Sequence, residues 1–186
     1  MIKKFICAIL ICIIALSLCV IPVSAAENGF AVADAVIVLS EDAGITDNYA
    51  ANRLKYYLDE ITGSDIEIVI GDTEKEYKIT LQGTTDAADG SYTITSTEKE
   101  LVIIGSGNKG TINGVYRFLE EFCNCHWYES EVIVIPENEN LTVPNGINVE
   151  YTPFFEYSET DTRSSRDAEF SVANGLTGGI YKDLSP

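Results

Sequence analysis

The chain has 186 residues and carries 12 Lys and Arg against 29 Asp and Glu, a formal net charge of −17 at pH 7. Acidity on that scale argues against nucleic acid and anionic membrane surfaces as partners, because the phosphate term is repulsive. Beyond that it implies little more than a well-solvated surface.

Residues 1–25 read as a signal peptide. Lys3 and Lys4 precede an apolar run from Phe5 to Ile21, Pro22 ends it, and Val23-Ser24-Ala25 offers the small residues a cleavage site needs. The apolar run lies at the short edge of what spans a bilayer, so a retained anchor is the alternative. Leu18 stands before Cys19 where a lipoprotein signal needs a small residue. Cleavage removes Cys7, Cys12 and Cys19 with the two lysines and leaves 10 basic against 29 acidic side chains. The expected mature protein is secreted, makes no membrane contact, and has about 160 residues, enough for one domain with a real core. With Cys123 and Cys125 alone remaining, it is not a disulfide scaffold.

Ala35 to Leu39 (AVIVL) reads as a short strand. Asp47 stands as the N-cap of a helix whose apolar positions Ala50, Leu54, Tyr57, Leu58 and Ile61 repeat at i, i+4, i+7, i+8 and i+11, and Gly63 falls where a left-handed C-terminal glycine belongs. Ile66 to Ile70, Tyr77 to Leu81, Tyr92 to Thr95 and Leu101 to Ile104 read as strands, and three consecutive short strands with short turns predict an antiparallel meander. Lys109 to Tyr128 (KGTINGVYRFLEEFCNCHWY) then sets Ile112, Val115, Tyr116, Leu119, Phe122 and Cys123 on one apolar stripe of a second helix. Asn113, Arg117, Glu120, Glu121 and Asn124 lie opposite.

Val132 to Ile135, Leu141 to Val143 and Val149 to Tyr151 add three short strands, punctuated by Pro136, Pro144 and Pro153. The order is not a strict β–α alternation, so the predicted class is α+β: one mixed β-sheet with two amphipathic helices on one face. From Phe154 the character changes. PFFEYSET reads as a further strand and Arg166 to Leu176 as a helix stopped by Gly178-Gly179, together the start of a second domain.

Three constellations could carry chemistry. Gly105-Ser-Gly107-Asn-Lys-Gly110 matches G-x-G-x-x-G between a strand and a helix, where a dinucleotide pyrophosphate would sit. The antiparallel hairpins expected before it, in place of a βαβ unit, favour a turn that only lets strand and helix pack closely. Cys123, Cys125 and His126 are soft metal ligands, but tetrahedral sites use wider pairs and a second pair elsewhere. A buried structural thiol is the better reading of Cys123. The carboxylates, among them Asp59, Glu60, Glu74, Glu76, Glu120 and Glu121, fall on polar faces and turns rather than as an opposed pair.

Four runs together carry a family resemblance: ANRLKYYLDEITG (Ala51 to Gly63), LVIIG (Leu101 to Gly105), the Lys109 to Tyr128 run, and TPFFEYSET (Thr152 to Thr160). The chain from about Ala33 onward resembles the N-terminal α+β domain that precedes the TIM barrel in alpha-glucuronidases of the xylan-degrading type. It is also similar to the matching region of bacterial DUF4838 proteins and to the smaller domain before the barrel of beta-hexosaminidases. The resemblance implies a beta-hexosaminidase domain-2-like accessory domain at 26–152, with 153–186 a C-terminal fragment of a (β/α)8 barrel truncated at its start. Catalytic groups would lie at the C-terminal ends of barrel strands. Relatives read F-E-Y-R-E in the first of these, the Arg directed at the substrate; here Ser158 takes its place.

The expected function is therefore that of an accessory domain of a secreted glycoside hydrolase in polysaccharide degradation, not catalytic by itself. Its partners would be a missing barrel domain and carbohydrate. No catalytic residue, metal or cofactor is assigned, and the candidates for substrate contact are Glu156, Ser158 and Glu159. The competing expectation is an autonomous extracellular glycan- or surface-binding module, which needs Tyr56, Tyr92, Trp127 and Tyr128 exposed together as a stacking platform.

Overall fold

The computed structural model describes residues 29–176; the signal segment and the Gly178-Gly179 stop lie outside them. In chain order the elements are β1 (Gly29–Ala31), a 3-10 turn (Val32–Asp34), β2 (Val36–Leu39), α1 (Ile45–Thr62), β3 (Ile68–Ile70), β4 (Lys78–Thr84), β5 (Tyr92–Ser96), β6 (Glu100–Ser106) and α2 (Gly110–Cys123). Then follow β7 (His126–Glu129), β8 (Val132–Val134), β9 (Thr142–Pro144), β10 (Asn148–Tyr151), a 3-10 turn (Ser164–Arg166) and α3 (Ala168–Ala173).

A six-stranded mixed sheet in the order β10-β5-β6-β4-β2-β3 forms the frame, and β1–β9 and β7–β8 are separate two-stranded ladders. Alternate residues in register build its helix-facing side. Ile37, Ile79 and Leu101 form one row, and Leu39, Leu81, Ile103 and Ile94 the next, all buried. The residues between them, such as Val38, Thr80, Val102 and Ile104, are only half-buried, as expected where one face of a sheet is covered. α1 packs over β2 and β4, α2 over β5 and β6, and the two helices pack on each other. The expected α+β architecture with a helix pair on a mixed sheet is what the chain forms.

The antiparallel meander is not. β3 and β4 run parallel to β2 on its two sides, and β4 runs parallel to β6. Within the six-stranded sheet only β5 with β6 and β10 with β5 are antiparallel. Alternation of apolar and polar residues reports a half-covered face and is blind to strand direction. α1 makes β2 and β3 parallel by returning the chain across one face, whereas β4 and β6 become parallel through connections that contain no helix.

Gly63 closes α1 at φ +70, its N–H donating to the Asp59 carbonyl, as the sequence predicts. Asp47, however, is not the N-cap. Gly44 is, and Asp47 sits in the first turn, its Oδ2 accepting from the Gly44 N–H at 3.1 Å. The capping logic holds, but reaching back three residues shifts the helix start.

The expected strand over Phe154 to Thr160 does not form. Residues 154–163 are exposed and irregular, and among the described residues there is no barrel strand. The helix expected over Arg166 to Leu176 is a single 3-10 turn followed by α3, capped by the Asp167 carboxylate accepting from the Phe170 N–H at 2.8 Å. Residues 154–163 pair with no strand of the sheet, although β10 at its end has only β5 as a neighbour.

Candidate functional site

At the amino end of α2, the glycine-rich turn is built for contact between backbones. A Cβ on Gly105 would lie 1.8 Å from the Thr111 nitrogen, and one on Gly110 would lie 2.3 Å from the Ser91 carbonyl oxygen. Gly107 has φ +69, a conformation that favours glycine. The positive end of the helix is answered from within: Asp89 Oδ1 accepts from the Lys109 N–H at 3.1 Å, and Asp47 Oδ1 accepts from Thr111 Oγ1 at 2.7 Å. Two carboxylates therefore hold the ground a phosphate would need. The turn is a packing device.

Cys123 and Cys125 are both buried and both free. Burial pushes the Cys123 thiol well up, with Cys125 adding to it, and pushes Cys125 up to about 12, so both stay protonated and are poor ligands or nucleophiles. His126 is turned away, its Nε2 3.1 Å from Asn124 Oδ1 and its ring stacked on Tyr128. Among the described residues no group of three or more His, Cys, Asp or Glu is arranged to hold a metal. No described helix is long and apolar enough to cross a membrane.

A polar cluster that no sequence motif marks lies beneath α3. Glu169 Oε1 accepts from Arg53 Nη2, from Tyr57 Oη at 2.5 Å and from Tyr116 Oη at 3.0 Å. Trp127 Nε1 donates to Tyr57 Oη at 2.9 Å. The three rings meet edge to face, with centroids 5.0–6.2 Å apart, and the Arg53 guanidinium lies 4.9 and 5.1 Å from the centres of Tyr56 and Tyr57. Burial raises both phenols above the usual tyrosine range, and Glu169 raises them further. Tyr57 and Tyr116 read correctly in the sequence as apolar-stripe residues. Their hydroxyls, each needing a partner once buried, were the available signal.

The candidates for substrate contact do not converge. Ser158 lines a groove of about 320 Å³ with Tyr92, Asn113, Arg117, Tyr151 and Phe154 among its walls. Glu159 borders a different recess beside Thr160, Asp161, Ser165 and Arg166. Glu156 is exposed. In the groove, Arg117 Nε donates to Tyr92 Oη at 3.3 Å and its Nη1 bridges to Glu120 and Glu121. The stacking platform of Tyr56, Tyr92, Trp127 and Tyr128 does not exist: Tyr92 and Trp127 are 5% and 6% exposed, against 44% and 64% for Tyr56 and Tyr128. Both buried rings close the core instead.

The fold is an α+β module, a mixed sheet under a helix pair. No protein-family model and no curated protein matches the sequence. Among solved structures, a beta-hexosaminidase of Streptomyces plicatus, in complex with its product GlcNAc, is similar at a TM-score of 0.52 and 13% identity, over 69% of this chain and 24% of that one. A GH20 exo beta-N-acetylglucosaminidase from Vibrio harveyi matches at 0.43 and 15%, over 67% and 16%. A GH138 enzyme targeting pectin rhamnogalacturonan II matches at 0.39 and 19%, over 47% and 10%. The first identifies a common fold; the other two are too distant to add to it. The chain spans a quarter or less of the length of each of these proteins.

Proposed function

We propose that residues 26–152 are an accessory α+β domain of a secreted glycoside hydrolase of the alpha-glucuronidase kind, acting in xylan or related polysaccharide degradation. The observation that supports this most is the fold itself, which recurs as about a quarter of the S. plicatus beta-hexosaminidase. In this reading, residues from 153 onward lead into a catalytic barrel, and Glu156, Ser158 and Glu159 lie where the chain approaches the sugar. The role of the domain is to seat that barrel. Its own groups are suited to packing: Tyr57, Tyr116 and Trp127 are buried, and the acids candidate for chemistry are dispersed. Hydrolysis of a glycosidic bond needs two carboxyls held across one cleft.

The 186-residue chain alone is expected to release no glucuronic acid from glucuronoxylo-oligosaccharides above a blank. Release at a rate proportional to protein, lost on heat denaturation, would overturn the accessory role.

One observation favours a second reading, a glycan-binding module. Tyr151, Phe154 and Phe155 are exposed beside Arg117 and Ser158, a mix of ring faces and planar polar groups that suits a saccharide. Calorimetric titration with xylan, pectin and chitin oligosaccharides separates the two: heats that vanish in Phe155→Ala support binding, and the absence of heat with all three removes it.

A further inference from the structure

Arg53 and Tyr57 come from α1, Tyr116 from α2 and Trp127 from β7, all within the sheet-and-helix body. Glu169 comes from α3, which reaches that body only after the exposed stretch 154–163. Three donors therefore converge on one carboxylate oxygen that is delivered from outside. The donors are held by contacts that do not involve Glu169. The Trp127 N–H occupies a lone pair of Tyr57 Oη, so the Tyr57 proton is aimed away from the indole, toward the carboxylate. The guanidinium is stacked against Tyr56 and Tyr57. Arg53 Nε is buried without a hydrogen-bond partner within the described residues, so the site offers one donor more than Glu169 uses.

Without an anion this site would strand a guanidinium and two phenol donors where water reaches them poorly, since the Arg53 side chain is only 23% exposed. A carboxylate meets that demand with shorter and stronger charge-assisted bonds than a neutral acceptor forms. We propose that Arg53, Tyr57 and Tyr116 form a preorganised carboxylate receptor on the helix layer, and that Glu169 is its built-in ligand. The receptor fastens residues 164–176 to the body through one replaceable carboxylate. The other anchors of that segment are buried Val172, Phe170 and Ala173 packed beside it on the core, and Asn174 Nδ2 donating to the Trp127 carbonyl at 3.1 Å. The receptor is independent of the glycan reading; an isolated chain that hydrolysed xylan would sink the accessory role and leave the receptor untouched.

The test uses the full chain and its Glu169→Ala and Glu169→Gln variants. Both are expected to keep the far-ultraviolet spectrum of the parent and to be cut by trypsin at Arg166 roughly tenfold faster, as loss of a charge-assisted contact implies. Sodium acetate, against sodium chloride at equal ionic strength, is expected to slow cleavage of Glu169→Ala back toward the parent rate and to shift its Trp127 indole N–H resonance. Acetamide is expected to do neither, and Arg53→Ala combined with Glu169→Ala is expected to abolish the acetate effect. Parent-like cleavage in both variants would overturn the proposal. So would an acetate effect matched by acetamide or chloride, no acetate effect at all, or global unfolding of both variants.

Discussion

At Gly105 the sheet and the second helix touch backbone to backbone, and the space for a side chain is already taken by the Thr111 amide. A methyl group there has no flexible neighbour to push aside, so the strand or the first turn of α2 must move as a body. Gly105→Ala is therefore expected to destabilise the protein by at least about 3 kcal/mol, at the upper end of what overpacking costs. Gly63→Ala, whose Cβ would meet nothing within 4 Å, is expected to cost about 1 kcal/mol, from its positive φ alone. Urea unfolding of the two variants checks the ranking, and equal midpoints would refute the close-packing account. The same scale explains why G-x-G-x-x-G was a false signal here: the glycines are needed for sterics, and nearby carboxylates occupy the donors that would hold a phosphate.

Between elements, Asp47 joins the starts of the two helices. Its carboxylate takes the Gly44 N–H in its own helix and the Thr111 hydroxyl in the other, and it lies over Gly83, where a Cβ would come within 2.6 Å of Oδ2. Asp47→Ala leaves a buried hydroxyl and a helix N–H without that acceptor, a loss of about 1–3 kcal/mol. Asp47→Asn keeps an acceptor for Thr111 and is expected to lose about half as much. Amide exchange is the sharper measurement: protection should fall in the first turns of both α1 and α2. A loss confined to α1 would mean that the bond to Thr111 is incidental.

Across the whole molecule, the neutral acids of the core set the alkaline limit. Cys123, Cys125, Tyr57 and Tyr116 are all raised by burial from ordinary values of 9.0 for the thiols and 10.0 for the phenols. A raised folded-state pKa means that the unfolded chain releases its proton first. The contribution is thus fully present below about pH 9 and is lost as pH rises through the window above it. Urea midpoints are expected to be level from about pH 7 to 8.5 and to fall beyond pH 9. Both thiols should resist Ellman's reagent at about pH 8 until the protein is unfolded. A flat midpoint to pH 10.5, or reaction of the native thiols, would contradict this.

Much of this architecture was legible in the residues. The stripes on α1 and α2, the glycine after α1 and the alternating strands follow from burial on one side of each element, and that is a local property of sequence. The tertiary structure alone decided strand direction, since a half-covered face looks the same in parallel and antiparallel ladders. It also decided the fate of Phe154 to Thr160, because a strand needs a partner edge and no periodicity can supply one. And it brought Glu169 to Arg53, Tyr57 and Tyr116, residues 116, 112 and 53 positions away. A buried phenol announces that its hydroxyl needs a partner; only the folded chain chooses which carboxylate answers.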